Sequence, residues 1–207
     1  MSTPRWHGTT AQERAGERRR RLLDAGRELM ADGGAAAVTV RAVTRSSGVS
    51  PRLFYESFPD RDTLLLALWD EQYAQLAARV EGAIADAGPE LAHRLRAAVL
   101  VTAHWFSEQP WRAVVMLRET LAEELLRRHA RRRLPEMVLS TAARSVDAEL
   151  LAAVSPPALE VAVVGLSGAI VNLFLEWTGG GLDVTAEQLA DEIVELMVAA
   201  LLRLSSR

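Results

Sequence analysis

The residues that could perform bond-making chemistry are too dispersed to do so. The four histidines, His7, His93, His104 and His129, lie far apart, and the adjacent acidic pairs Glu123-Glu124 and Asp191-Glu192 read as helix surface. No His-Glu-x-x-His, phosphate loop or nucleophile elbow is present, and Gly179-Gly180-Gly181 lacks a preceding strand pattern. With no cysteine, disulfides, thiolate zinc sites and thiol chemistry are excluded. No metal site or cofactor is expected, and the reading is not that of an enzyme.

Arginine is the chemistry that remains. All 24 basic residues are Arg, a usage that a GC-rich genome explains but that also suits phosphate binding. The net charge of −3 is unevenly spread: residues 1–62 carry 11 Arg against 8 acidic residues, and residues 63–207 carry 13 against 19. Positive charge therefore concentrates at the N-terminal end, where the four consecutive residues Arg18 to Arg21 span a full helical turn. One or two of them can reach a phosphate, the others facing solvent with Glu17 or Asp24.

Helix signals position these arginines. Thr10 and Glu13 have capping-box spacing. Leu22, Ala25, Gly26, Leu29 and Met30 follow at helical intervals, and Gly33-Gly34 provides a stop, predicting a helix over about 12–32. Thr39 can cap a second short helix ending near Ser46-Ser47-Gly48. Ser50-Pro51 opens a third that runs to about Ser57, because Ser is a favoured N-cap and Pro is tolerated at the first helical position. Asp60 caps a long helix from Arg61 to the Gly88-Pro89 break. Further helices follow at about 90–107, after Pro110, from Ser155-Pro156-Pro157 to Trp177, and from a second capping box at Thr185 and Gln188. No strand pattern competes, so the fold class is all-α: an N-terminal three-helix domain, residues 1–60, then a larger helical domain, residues 61–207.

The stretch TVRAVTRSSGVSPRLFYESF, residues 39–58, has the layout of a helix-turn-helix with Gly48 in its turn. Val49, Leu53 or Phe54, and Phe58 can face the core, leaving Ser50, Arg52, Tyr55 and Glu56 for a groove. Gly48-Val49-Ser50, Phe54-Tyr55, Phe58, Arg61 and Leu64, with Gly34, Thr39, Val40 and Arg41 upstream, resemble the tetracycline-repressor (TetR) family pattern without a gap over about residues 18–66. Thr44, Ser47 and Phe54 depart from the family's commoner residues at packing positions. Pro51, Arg52 and Glu56 stand where members vary, so operator sequence does not transfer.

The resemblance implies a sequence-specific, DNA-binding transcriptional regulator, a repressor released from a palindromic operator by a small molecule. Thr39, Tyr55 and Arg61 would hold backbone phosphate, joined by Arg18. Arg52 would read guanine O6 and N7 with ~1–3 kcal/mol of discrimination. Arg41 would contact base or phosphate, and Ser50 and Pro51 begin the reading helix. Glu56 could accept from a cytosine amino group or simply balance Arg52. Residues 1–11, with Arg5, form an arm toward a minor groove or a tail.

A recognition helix of this length reads few base pairs alone, so a homodimer is expected. The last two helices, about 156–205, are its expected interface: Gly165 and Gly168 permit close approach, and Leu189, Ile193, Leu196, Met197, Ala200, Leu201 and Leu204 form a stripe that could otherwise complete each subunit's core. Trp105, Phe106, Trp111, Met116, Met137, Phe174 and Trp177, with His104, Asn172 and Glu176, are candidate lining for an apolar effector site, core filling being the alternative. The second basic cluster, Arg127-Arg128 and Arg131 to Arg133, reads as a solvated helix face. The longest uncharged run, Val161 to Leu175, is 15 residues, short of the ~20 needed for a membrane span. The N-terminus lacks an apolar segment, so a cytoplasmic location is expected. An architectural DNA-binding protein without effector, or a helical small-molecule-binding protein or enzyme, remains the alternative.

Overall fold

The computed structural model describes residues 10–145 and 154–205. The candidate arm, apart from Thr10 and Ala11, and the segment 146–153 lie outside the described residues. Among those described, every regular element is helical. The chain divides into two compact units, Met1–Leu68 and Trp69–Arg207.

In the first unit, α1 (Ala11–Ala37) begins with the full capping box: Thr10 Oγ1 accepts from the Glu13 N–H, and the Glu13 carboxylate accepts from the Thr10 N–H. Gly34 at φ 68° interrupts it, a backbone conformation costly for any residue with a Cβ. α2 (Val40–Ser47) is capped by Thr39 and ends on left-handed Gly48 at φ 65°. α3 (Pro51–Ser57) starts with Ser50 as N-cap and Pro51 at the first helical position. The unit extends through Leu68 because Leu64, Leu65 and Leu68, on the first turns of α4 (Arg61–Asp86), are buried with Leu22, Met30, Val43, Phe54 and Phe58. Gly26 lets these leucines approach: a Cβ there would stand 3.1 Å from Leu68 Cδ1.

The second unit continues with α5 (Leu91–Glu108), α6 (Trp111–Ala113), a π-helical turn Val114–Arg118, α7 (Glu119–Ala122) and α8 (Glu124–Ser145). The helix expected after Pro110 is thus broken into short pieces. The π turn is tied down by the Thr120 hydroxyl, which donates to the Val115 carbonyl (3.3 Å) and accepts from the Trp69 indole (2.9 Å). Extended backbone at Glu123 then separates α7 from α8. α9 (Pro156–Thr178) starts at Pro156, although Ser155 makes no side-chain cap. Gly180, at φ 78°, turns its end. α10 (Ala186–Ser205) opens with the expected box, Gln188 N–H to Thr185 Oγ1 at 3.2 Å and Thr185 N–H to Gln188 Oε1 at 2.9 Å.

At 23 residues, α9 is long and apolar enough to cross a membrane by length and composition, exceeding what its 15-residue uncharged run suggested. It carries Glu160 and Glu176, and Val163, Ser167 and Phe174 are buried within the unit.

Candidate nucleic-acid interface and cavity

α3 is seven residues long, too short to be stable alone, so its face is fixed by anchoring. Phe54 and Phe58 are fully buried, ring centroids 6.0 Å apart, which settles the Leu53-or-Phe54 alternative in favour of Phe54. The opposite side exposes Ser50, Pro51, Arg52, Tyr55 and Glu56. Tyr55 is 57% exposed, its ring edge-on to Phe54 at 5.4 Å, so its phenol is held outward by an aromatic contact. Arg52 is the most open of the group, its side chain 89% exposed. Thr39 and Arg41 are exposed at the start of α2. Arg45, one turn after Arg41 and also exposed, was missed as a candidate, although its four-residue spacing places it on the same face.

Glu56 sits between two cations, 3.5 Å from Arg52 Nε and 3.6 Å from Arg18 Nη2. Its charge-balancing role is therefore visible. Arg18 lies across α3, its Nε donating to Ser57 Oγ at 3.1 Å. Arg61 also faces the protein: Nε donates to the Val38 carbonyl (2.8 Å) and Nη2 to the Ala35 carbonyl (2.7 Å), with Nη1 3.2 Å from Asp62. These carbonyls end α1: that of Ala35 also accepts from the Val38 N–H at 3.1 Å, and that of Val38 lies past the last helical residue. At the next helix start, the Thr63 N–H donates to Asp60 Oδ1 at 2.7 Å, holding the Asp60 carboxyl below its ordinary value.

The second unit contains an apolar cavity of about 100 Å³, walled by α4, α5, the π turn, α8, α9 and α10. Of the ten candidate ligand residues, Phe106, Met116, Met137 and Phe174 line it. Trp105 is fully buried in packing instead, with the Arg112 guanidinium 4.6 Å from its ring. The Trp111 indole donates to Gln109 Oε1 (3.0 Å), and that of Trp177 to the Val184 carbonyl (2.9 Å) across the glycine turn. Trp177 borders a separate depression with Phe106 and Pro110. His104, Asn172 and Glu176 are exposed, Glu176 lying against Gly181. Sequence reasoning passed over the other lining residues, including Leu76, Val80, Thr102, Thr141 and Ile170, because they belong to stripes that also suit a filled core. The available signal was a threonine within such a stripe, as in Ala98-Thr102-Phe106.

An exposed short helix that follows a glycine turn and is braced from behind has the layout of a helix-turn-helix. Residues 22–68 match the model of the bacterial regulatory proteins of the tetR family. The whole fold is similar to that of a TetR-like transcriptional regulator from Rhodococcus sp. RHA1, with a TM-score of 0.63 and 18% identity over 89% of this chain and 96% of that one. SmeT, the repressor of the Stenotrophomonas maltophilia multidrug efflux pump SmeDEF, is similar at TM-score 0.66 and 17% identity, over 88% and 89% of the chains. FadR from Bacillus subtilis, solved in complex with stearoyl-CoA, is similar at 0.61 and 16%, over 87% and 98%. No curated protein matches the sequence.

Proposed function

We propose that this regulator binds a palindromic operator as a homodimer in the cytoplasm and that a small apolar molecule in the second unit weakens that binding. The observation that carries the reading is the pairing of an exposed, braced α3 with a cavity in a separate unit of the same chain. α4 serves both, with Leu64, Leu65 and Leu68 in the head's core and Leu76 and Val80 in the cavity wall. A ligand shifts operator affinity only if it binds the DNA-competent and DNA-incompetent states unequally. The names of SmeT and of the FadR complex support a repressor and a ligand, respectively.

Within the head, Thr39 and Tyr55 would contact phosphate, Arg52 would read a base, and Arg41 with Arg45 would add phosphate or base contacts. Ser50 and Pro51 set the start of the reading helix. Arg18, Arg61 and Glu56 would act chiefly on the protein side. The DNA-binding role falls to residues 1–60, and the ligand and dimer roles to 61–207.

The dimer proposal rests on α9 and α10. Val161 and Val164 are 74% and 57% exposed, and Leu196 and Leu202 are 51% and 66% exposed. Among the described residues, no atom outside the helix's own backbone and the neighbouring residues stands within 4 Å of a Cβ placed on Gly165 or Gly168, which leaves room for a partner helix. Leu189, Ile193 and Met197, from the stripe expected at the interface, are buried within the subunit. The stripe is therefore divided: those three close the core, and Leu196 with its exposed neighbours is left for the partner.

Selection of bound sequences from random duplex DNA tests the reading, followed by footprinting on the selected site at several salt concentrations. A discrete palindromic footprint is expected. Uniform coverage of unrelated DNA would replace the regulator with an architectural role. A ligand that fills the cavity yet leaves operator affinity unchanged would remove the effector part.

A further inference from the structure

The cavity is chemically one-sided. Its walls are hydrocarbon, Met side chains and Phe rings apart from Thr102 and Thr141, and the Thr102 hydroxyl already donates to the Ala98 carbonyl at 2.8 Å. Among the described residues, no charged side chain lines it. A charged group placed inside would lose hydration without a counter-ion, which is strongly unfavourable.

A second, smaller depression adjoins it between α4 and α8. Val80, Met137 and Thr141 line both spaces and form a common wall. The smaller space is mixed: Glu81, Ser140 and Arg144 line it together with Tyr73, Ala77 and Ile84. Arg144 Nη2 stands 2.7 Å from Glu81 Oε1, and both side chains are about half exposed. Arg94 reaches the same end of α8, its Nη1 donating to the Arg144 carbonyl at 2.8 Å. Arg144 is the guanidinium that lines the space with Glu81, while that of Arg94 is held by the Gly88 and Arg144 carbonyls. Met137, unbranched and flexible, is the wall residue best able to move aside for a chain.

Accepting the effector reading above, we infer that the ligand is an amphiphile with an anionic head: its apolar body fills the cavity past Met137, and its head takes Arg144 in exchange for Glu81. A neutral ligand of the same body would gain only the burial term. A cationic one would have to take Glu81 from Arg144, leaving that guanidinium beside its own charge.

The test is calorimetric titration of the full chain with decanoate, decanol and decyltrimethylammonium, each below its micelle concentration, with operator affinity measured in parallel. Decanoate is expected to bind most tightly and to weaken operator binding. Arg144→Gln should weaken decanoate by about tenfold, the loss expected for one hydrogen bond to a charged group, and leave decanol unchanged. Glu81→Gln, which frees Arg144, should tighten decanoate. This second variant keeps the test decisive if Arg144→Gln fails to fold. Equal binding of decanoate and decanol, with neither variant altering their ratio, would overturn the anionic-head assignment while leaving the effector site standing. Tighter binding of the cationic probe would overturn it as well. If none of the three binds, or if binding leaves operator affinity untouched, the effector reading fails with it.

Discussion

The head and the body of this chain use arginine differently. In the body, arginines pair with carboxylates at the surface: Arg79 and Arg112 on Glu108, Arg96 on Asp191, Arg144 on Glu81. The Arg79 hydrogen bond, then that of Arg112, holds the Glu108 carboxyl below its ordinary value. Carboxylate pairs occur in the head too, Arg18 and Arg52 on Glu56, and in the body Arg112 and Arg94 also reach carbonyls near helix ends. In the head, however, an arginine reaches the end of each of the first three helices. Arg61 donates to Ala35 and Val38 at the end of α1, Arg21 to the Ser47 carbonyl closing α2, and Arg19 to the Ser57 carbonyl closing α3 while stacking 4.2 Å over Phe58. A cation at a helix C-terminus satisfies orphan carbonyls and complements the helix dipole. Exposed ion pairs contribute little, whereas removing a donor from a part-buried carbonyl leaves desolvation uncompensated. Two helices of eight and seven residues depend on such contacts more than the long helices of the body do.

The largest expected effect tests whether the head is held by its core. Phe54→Ala removes a fully buried ring, and losses of ~3–5 kcal/mol are typical of such truncations. Urea denaturation should show the head melting well before the wild type, and operator binding should disappear. A change under about 1 kcal/mol would mean that α3 is held chiefly by its arginine braces.

Arg61→Ala is next and separates brace from phosphate contact. If the carbonyl contacts matter, stability should fall by ~1–3 kcal/mol even without DNA. If Arg61 serves the duplex instead, stability should stay unchanged and the salt dependence of operator binding should flatten by about one unit of slope. The parallel change Arg79→Ala in the body should cost no more than ~1 kcal/mol.

The same contrast explains what could be read without coordinates. The boundaries of α2 and α3 were legible because Thr39, Gly48, Ser50 and Pro51 act on their own neighbours. The choice between Leu53 and Phe54 stayed open because a helix this short can be turned either way. Arg61 was legible as a charge at a helix start, but its partners are carbonyls some 23 and 26 positions back, brought there by tertiary packing. The cavity was harder still, being a gap among stripes on several helices. Trp105 and Trp177 were singled out for size, yet one fills core and the other secures a turn. Met116 and Met137 were found by type. Thr102 and Thr141 were missed because each is ordinary in its own helix.

Arg52→Ala asks whether the exposed face reads or merely holds. Discrimination should fall by ~1–3 kcal/mol at one position of each half-site, with little change in stability, since the side chain is 89% exposed. Competition against a panel of single-position operator variants measures this. A loss shared equally by all sequences would make Arg52 a phosphate contact. Thr39→Ala should give that uniform loss, accompanied by a modest loss of stability because its hydroxyl also accepts from the Ala42 N–H at 3.1 Å.

The smallest effect concerns Asp60 and carries a sign in pH. Its carboxyl is held below the ordinary value, chiefly by the Thr63 N–H. The folded state therefore favours the ionised form, so this contribution is fully present above the unfolded-state value near 3.8 and is lost as pH falls through the lower folded value. Asp60→Asn keeps an acceptor for the Thr63 N–H but cannot titrate. Its deficit relative to wild type should be small at neutral pH and shrink further as the solution is acidified below about pH 4. Asp60→Ala removes the acceptor and should cost more at neutral pH. Thermal melts of the three proteins across that range decide the matter. Parallel curves would mean that the Asp60 cap is not formed in solution.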